Sequence, residues 1–184
     1  MRILLVLALV SGPAWAEVCP DPQDYSTELD ALIAAAQDAP SAADANDVTS
    51  GMWKVWLRAP NVQAQEVLDR GLARRDGFDF VGAYSDFDKL VEYCPKYAEG
   101  FNQRAYVQFL RGEYAGALLD LDAALALLPN HVAAQSGRAL TLMQMGRLKE
   151  ARTQMLEALK NNPWLSERAL IAKGAPLGPK GEDI

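Results

Sequence analysis

The sequence predicts an all-α fold, a right-handed α-solenoid built from three repeated helix pairs. Three prolines stand 34 residues apart, and the segments between them are similar to one another: Pro95, Pro129 and Pro163. Small and bulky apolar residues recur within these segments at helical spacing. A fixed period of this length indicates one supersecondary unit stacked on copies of itself. The repeats, counted as places 1 to 34, span residues 64–97, 98–131 and 132–165.

Each repeat contains two apolar-periodic stretches separated by a turn. Small residues at places 8 and 20 let two helices approach closely, and bulky apolar residues at places 17 and 24 fill the space beside them. The small residues are Gly71, Ala105 and Ala139 at place 8, and Ala83, Ala117 and Ala151 at place 20. The bulky residues are Phe80, Tyr114 and Leu148 at place 17, and Phe87, Leu121 and Met155 at place 24. Gly112 and Gly146 are predicted to end the first helices, because glycine adopts positive φ at little cost.

This pattern resembles the tetratricopeptide repeat family. The second repeat carries the most signature residues: Gly112, Tyr114, Ala117, Ala124 and Pro129. The first repeat deviates most, since Phe78 stands where Gly is usual and Leu90 where Ala is usual. Residues 98–105 also resemble the opening of a repeat in small exported bacterial proteins of this family.

The flanking segments are predicted to cover the ends of the stack. Residues 17–60 are expected to form an N-terminal arm and a degenerate helix pair (25–37 and 41–58) that closes one end. The repeat domain is predicted to extend over 61–173, with a short capping helix over 165–173. Residues 174–184, with three glycines and two prolines, are expected to be a disordered tail.

The first 16 residues have the features of a secretory signal peptide. A basic residue precedes eight apolar residues, and Ala14-Trp15-Ala16 fits a cleavage site, with the predicted cut after Ala16. The alternative is a buried N-terminal helix. A signal peptide predicts a periplasmic or secreted protein.

The chain contains two cysteines, Cys19 and Cys94. An even count in an oxidising compartment favours a disulfide, which would pin the N-terminal arm to the end of the first repeat. Free or intermolecular thiols are the alternative.

Composition argues against several classes of function. The net charge of −6 disfavours nucleic acid, which requires a basic footprint. His131 is the only histidine and is expected to be a solvated turn residue, so no metal site, cofactor or catalytic residue is predicted. Phosphate-binding glycine motifs are absent from the sequence. Carboxylates on the repeat helices, such as Asp86/Asp88 and Asp120/Asp122, leave an enzyme as a minor alternative.

Arginine recurs at place 7, as Arg70, Arg104 and Arg138. One interpretation is structural, with each guanidinium pairing with a carboxylate on a neighbouring helix; Asp86 and Asp120 at place 23 are the expected partners. The other is a basic stripe that binds an acidic ligand. Arg138 has Gln154 at place 23 and is expected to be the freest of the three.

The resemblance implies that the first helices of the repeats line a groove that binds a peptide or a partner protein. The candidate groove residues are Leu68, Leu72, Arg75, Asn102, Tyr106, Phe109, Ser136, Leu140 and Met143. Their apolar members suit an amphipathic or extended segment, although some of them could fill the core instead. The predicted function is a non-enzymatic interaction scaffold of the bacterial cell envelope. A structural subunit of a homo-oligomer is the alternative, and the sequence does not specify the oligomeric state.

Overall fold

The computed structural model describes residues 18–179, which contain eight α-helices and one 3-10 helix and no strand. The predicted signal peptide lies outside the described residues. The helices are α1 (Ser26–Gln37), α2 (Ala42–Trp56), α3 (Val62–Asp76), α4 (Phe80–Tyr93), α5 (Ala98–Leu110), α6 (Tyr114–Leu127), α7 (Val132–Gln144), α8 (Leu148–Asn161) and the 3-10 helix (Ser166–Ile171).

The predicted repeats are confirmed as helix pairs that pack in sequence order. The pairs α3–α4, α5–α6 and α7–α8 each pack together, and α4 packs on α5 as α6 does on α7. The turn after the first helix of each repeat uses a left-handed residue at place 15. Gly112 and Gly146 adopt φ of 76° and 74°, as predicted, and Phe78 adopts φ of 62° at the same place in the first repeat.

Close approach of the paired helices explains the small residues. A Cβ atom built on Gly71 would lie 2.5 Å from a ring carbon of Phe87, so no larger residue fits without displacing that ring. The alanines at places 8 and 20 are fully buried: Ala83, Ala105, Ala117, Ala139 and Ala151.

The N-terminal helix pair exists as predicted, but it does not close the end of the stack. It runs along the edge formed by the turns between repeats, and it contacts equivalent places in all three. At place 34, Tyr97 donates a hydrogen bond to the carbonyl of Trp56 (2.6 Å), His131 stacks on the Trp56 ring, and Leu165 packs into the same apolar cluster. The far end of the pair reaches the last repeat, where Asn162 donates to Thr49 Oγ1 (3.0 Å).

The first repeat needs no cover at its end of the stack, because its outer face is polar. The outer face of α3 carries Glu66 and Asp69, both exposed, where the later repeats bury Gly100 and Ala134 against the preceding helix pair. A polar first helix can face water by itself, as terminal repeats of solenoids do.

The C-terminal end differs from the prediction in two details. The capping helix is a single 3-10 segment, Ser166–Ile171. The first part of the predicted disordered tail is ordered, since Leu177 is buried against the core around α8 and its N–H donates to the carbonyl of Leu170 (2.9 Å). Arg152 also donates to the carbonyl of Leu177. None of the helices in residues 18–179 combines the length and hydropathy that crossing a membrane requires.

Candidate functional site

A groove of about 1060 Å³ runs along the first helices of the repeats, α3, α5 and α7. Helix α2 and the segment after α8 supply the rest of its lining. Seven of the nine predicted groove residues line it: Leu72, Arg75, Asn102, Tyr106, Phe109, Ser136 and Leu140. Tyr106 is the most open of these, with 48% of its surface exposed.

Two predicted groove residues belong to the core instead. Leu68 is fully buried in the cluster around Phe87 and Leu90, so it cannot touch a ligand. Met143 is half-buried against the core of the last repeat and is not part of the lining. The equivalent places of other repeats do line the groove, as Asn102 and Phe109 show, so these two differences are local to the first and last repeats.

The sequence prediction missed the contribution of α2 to this groove. Asn46, Thr49, Met52, Trp53 and Trp56 line it, all from α2. The apolar character of α2 was the available signal, because two tryptophans within four residues need a covering surface. Nothing in the repeat pattern indicated that the covering surface is the groove itself.

The charged and polar groups of the groove differ in how fully they are hydrogen-bonded. Arg75 donates from Nη1 to Gln103 Oε1 (2.6 Å) and from Nε to Asp76 Oδ1 (2.9 Å), and its guanidinium lies over the Tyr106 ring. Ser136 is only 4% exposed, and its Oγ has no hydrogen-bond partner among the described residues. The indole Nε1 of Trp56 is likewise buried without a partner in residues 18–179.

His131 was expected to be solvated, but it is fully buried beneath Trp56. Its Nε2 lies 2.7 Å from Glu99 Oε2, and its Nδ1 accepts the backbone N–H of Ala134 (3.3 Å). Glu99 is also buried and accepts from the side-chain amides of Asn102 and Gln103. This cluster connects α2 to the second and third repeats.

The arginine row forms a ladder of ion pairs. Arg70 Nε pairs with Asp86 (2.9 Å), and Arg104 makes two parallel bonds to Asp120 (2.7 and 2.6 Å), which confirms the predicted pairs. Arg104 also reaches back to Asp88 in the preceding repeat (2.6 Å). These contacts favour the structural interpretation over a free basic stripe.

Arg138 is not free, contrary to expectation. Its Nε pairs with Asp122 of the preceding repeat (2.7 Å), and its Nη1 donates to Gln154 Oε1 (3.1 Å). The prediction considered only place 23 of the same repeat and missed place 25 of the previous one.

A disulfide joins Cys19 to Cys94, as predicted, with 5.2 Å between the Cα atoms. Nearby, Lys96 pairs with Asp21 (2.8 Å), so the arm before α1 is attached to the first inter-repeat turn both covalently and electrostatically. Within residues 18–179, no group of three or more His, Cys, Asp and Glu side chains is arranged to hold a metal ion.

Comparison with known proteins gives consistent results. Residues 108–173 match the sequence profile of the tetratricopeptide repeat family. The chain is 38% identical over 72 residues to a tetratricopeptide repeat protein 36 homolog of Nematostella vectensis, covering 39% of this chain and 40% of that protein. It is 36% identical over 59 residues to a TPR repeat-containing protein of Rhizobium etli, covering 32% and 29% of the two chains. The chain therefore spans less than half of the length of these relatives.

A solved structure shares the fold. It is described as the first TPR of Spaghetti (RPAP3) bound to the HSP90 peptide SRMEEVD, and it superposes with a TM-score of 0.56. The match covers 58% of this chain and 84% of that one, at 22% sequence identity. Identity at this level supports the arrangement of helices and carries no information about ligands.

Proposed function

We propose, since this chain belongs to the tetratricopeptide repeat family, that it is a non-enzymatic binding module for a peptide or a partner protein. The observation that supports this proposal is the groove of about 1060 Å³ along α3, α5 and α7. Tyr106, Phe109 and Leu140 give it an apolar floor that is incompletely covered. Concave sites with apolar and aromatic linings and a few polar groups are the usual form of binding sites.

The solved structure that shares this fold gives a precedent for a peptide ligand only. That protein was solved with a peptide bound, and a comparable occupant here is part of our proposal. The carboxylates that could support an enzyme have other roles. Asp86, Asp88, Asp120 and Asp122 are all paired with arginines, which accounts for them without catalysis.

The first step in testing the proposed function is to identify the partner protein. Photocrosslinking from Tyr106 in intact cells, followed by mass spectrometry, should identify a protein whose purified form binds the purified chain. Replacing Tyr106→Ala together with Leu140→Ala should raise the dissociation constant by about tenfold or more, because both remove apolar contact area. The matched control is Leu119→Ala, which removes an exposed leucine outside the groove. An unchanged affinity in the double variant, with its helicity intact, would refute the groove assignment.

We place the protein in the bacterial cell envelope, in the periplasm or outside the cell. The disulfide supports this location, since structural disulfides persist in oxidising compartments. Mass spectrometry of non-reduced protein from the periplasmic fraction should show Glu17 as the first residue and a linked Cys19–Cys94 peptide. Two alkylatable thiols in a chain that retains its first 16 residues would contradict the assignment.

A further inference from the structure

We propose that the partner segment is held between α2 and the first helices of the repeats, so that the N-terminal helix pair supplies the second side of the binding site. We further infer that the occupant is an extended polypeptide segment without charges in its central part. This inference rests on the proposed function and specifies where, and in what form, the partner is bound.

Helix α2 presents a continuous set of side chains to the groove. Trp53 is half-buried, lines the groove and is held edge-on by Trp56, with ring centroids 5.2 Å apart. Thr49 and Asn46 lie one and two turns further along the same helix and also line it. Residues spaced three and four apart share one face of a helix, so this face of α2 is directed at the groove.

The position of α2 is fixed before any ligand arrives. Its C-terminal end is held by the Trp56 carbonyl, which accepts from Tyr97, and by the stack on His131. Its middle is held by Thr49, which accepts from Asn162. The Cys19–Cys94 disulfide attaches the preceding arm to the same edge of the repeats. A prearranged second side lowers the entropic cost of binding, because fewer groups must be ordered when the ligand enters.

Charge is confined to the two ends of the groove. Among the described residues, the charged members of its lining are Arg75 and Asp76 at the end of α3, and Glu167 and Arg168 after α8. The lining between them, from α2, α5 and α7, is apolar or uncharged polar. A ligand charge in this central part would lose its water without meeting an opposite charge, which is strongly unfavourable.

The unpartnered polar groups favour an extended occupant. Ser136 Oγ on α7 and Trp56 Nε1 on α2 are both buried without hydrogen bonds among the described residues, and both residues line the groove. The indole N–H can only donate, so an occupant that reaches it can pair with it only through an acceptor. An extended segment has free backbone carbonyl groups, whereas a helix uses nearly all of its own internally. The backbone of a bound helix would therefore have no free carbonyl for these two groups, whereas that of an extended segment would.

The experiment uses the full oxidised chain and an array of synthetic peptides of about 12 residues with random sequences, which reach roughly 40 Å when extended. Peptides that bind the wild type are measured against Trp53→Ala and against Lys54→Ala, the exposed neighbour on α2 that lies outside the groove. We expect Trp53→Ala to raise the dissociation constant about tenfold, and Lys54→Ala to leave it unchanged. Asn46→Lys, at an exposed position of the lining, gives the same test without removing a packed side chain.

A lysine scan of the bound peptides tests the second part of the inference. Lysine at central positions should abolish binding, and lysine at the ends should be tolerated. Binding that is lost in Tyr106→Ala with Leu140→Ala but retained in both Trp53→Ala and Asn46→Lys would refute the role of α2 and leave the proposed function standing. Tolerated central lysines, or a helical bound peptide by NMR, would refute the occupant. A wild-type chain that binds no peptide, but binds the partner protein captured from Tyr106, would refute the extended occupant and leave the proposed function standing. A chain that binds neither would overturn both proposals.

Discussion

The indole ring of Trp56 stacks on the imidazole of His131, with centroids 4.2 Å apart and planes inclined by 16°. Beneath it, His131 Nε2 lies 2.7 Å from Glu99 Oε2. Since His131 Nδ1 accepts the N–H of Ala134, the hydrogen of the ring lies on Nε2 and is donated to the carboxylate. One turn residue thus connects the N-terminal helix pair, the second repeat and the third.

Replacing His131→Leu should destabilise the protein by about 3 kcal/mol, because it leaves the buried Glu99 carboxylate without its ring partner and removes the stack on Trp56. Urea denaturation followed by circular dichroism measures this loss. The control is Asn130→Ala in the same turn, whose hydrogen bond to Asp30 (3.0 Å) is exposed and should contribute less than about 1 kcal/mol. Equal losses in the two variants would contradict the role assigned to the buried pair.

Tyr97 is predicted to make the protein sensitive to alkali. Burial raises the pKa of its phenol well above the ordinary value of about 10, and the hydroxyl donates to the carbonyl of Trp56. Above about pH 10 the tyrosine of the unfolded chain releases its phenolic proton, while that of the folded chain keeps it. The contribution is therefore fully present below about pH 10 and is lost as the pH rises further.

The variant Tyr97→Phe separates the two effects of this residue. It should lower the free energy of unfolding at pH 7 by about 1 kcal/mol, through loss of the hydrogen bond, and it should also flatten the decline between about pH 9 and pH 11. Urea denaturation across this range is the measurement. Tyr106→Phe, at an exposed tyrosine, should retain the decline of the wild type. A decline that persists unchanged in Tyr97→Phe would show that other groups cause it.

The sequence predicted the parts of the fold that its period encodes. Places 8, 15 and 20 carry small residues in most repeats, because every repeat has the same close helix contact and the same turn. The arginine at place 7 recurs in all three repeats for the same reason, with an acidic partner at place 23 in the first two. Periodic features of this kind can be recognised in a single sequence, because the same helix contact and the same turn require the same residue types in every repeat.

The docking of the N-terminal pair could not be predicted in this way. Its three anchor residues at place 34 are Tyr97, His131 and Leu165, which act through a hydrogen bond, a ring stack and an apolar contact respectively. They share a position but no chemical type, so they produce no periodic signal. His131 was predicted to be solvated for the same reason, since its cover comes from Trp56, outside the repeats.

The ladder of ion pairs gives a prediction that compares two equivalent arginines. Arg104 is 17% exposed in its side chain and contacts carboxylates in two repeats, Asp120 and Asp88. Arg104→Lys should cost about 1–2 kcal/mol, because an ammonium cannot reproduce two parallel bonds and a third bond to another helix.

Arg70→Lys provides the matched comparison. Arg70 is 47% exposed and, within residues 18–179, pairs with Asp86 alone, since no repeat precedes it. Arg74 also contacts that carboxylate (3.0 Å). Its replacement should cost less than about 0.5 kcal/mol. Denaturation of both variants in low and high salt checks the difference, and a larger loss at Arg70 would show that the inter-repeat contact of Arg104 contributes little.

The turn of the first repeat carries a residue that its backbone disfavours. Phe78 has φ of 62°, a conformation that Gly112 and Gly146 adopt in the other repeats. Its side chain is 80% exposed and contacts only the edge of Phe80 among aromatic rings in the described residues, with centroids 6.0 Å apart. Phe78→Gly should therefore raise the free energy of unfolding by about 0.5–1 kcal/mol. The substitution relieves backbone strain in the folded state, and the greater conformational freedom of glycine in the unfolded chain offsets part of that gain.

Gly112→Ala tests the same relationship in reverse. No atom of the part of the chain that the structure describes lies within 4 Å of a Cβ built at this glycine, so its substitution changes the backbone preference and no packing. We expect a loss of about 1 kcal/mol in thermal or urea denaturation, opposite in sign to the effect of Phe78→Gly. If Phe78→Gly lowers stability while Gly112→Ala also does, the contact between Phe78 and Phe80 outweighs the strain, and the phenylalanine belongs to the structure of the turn.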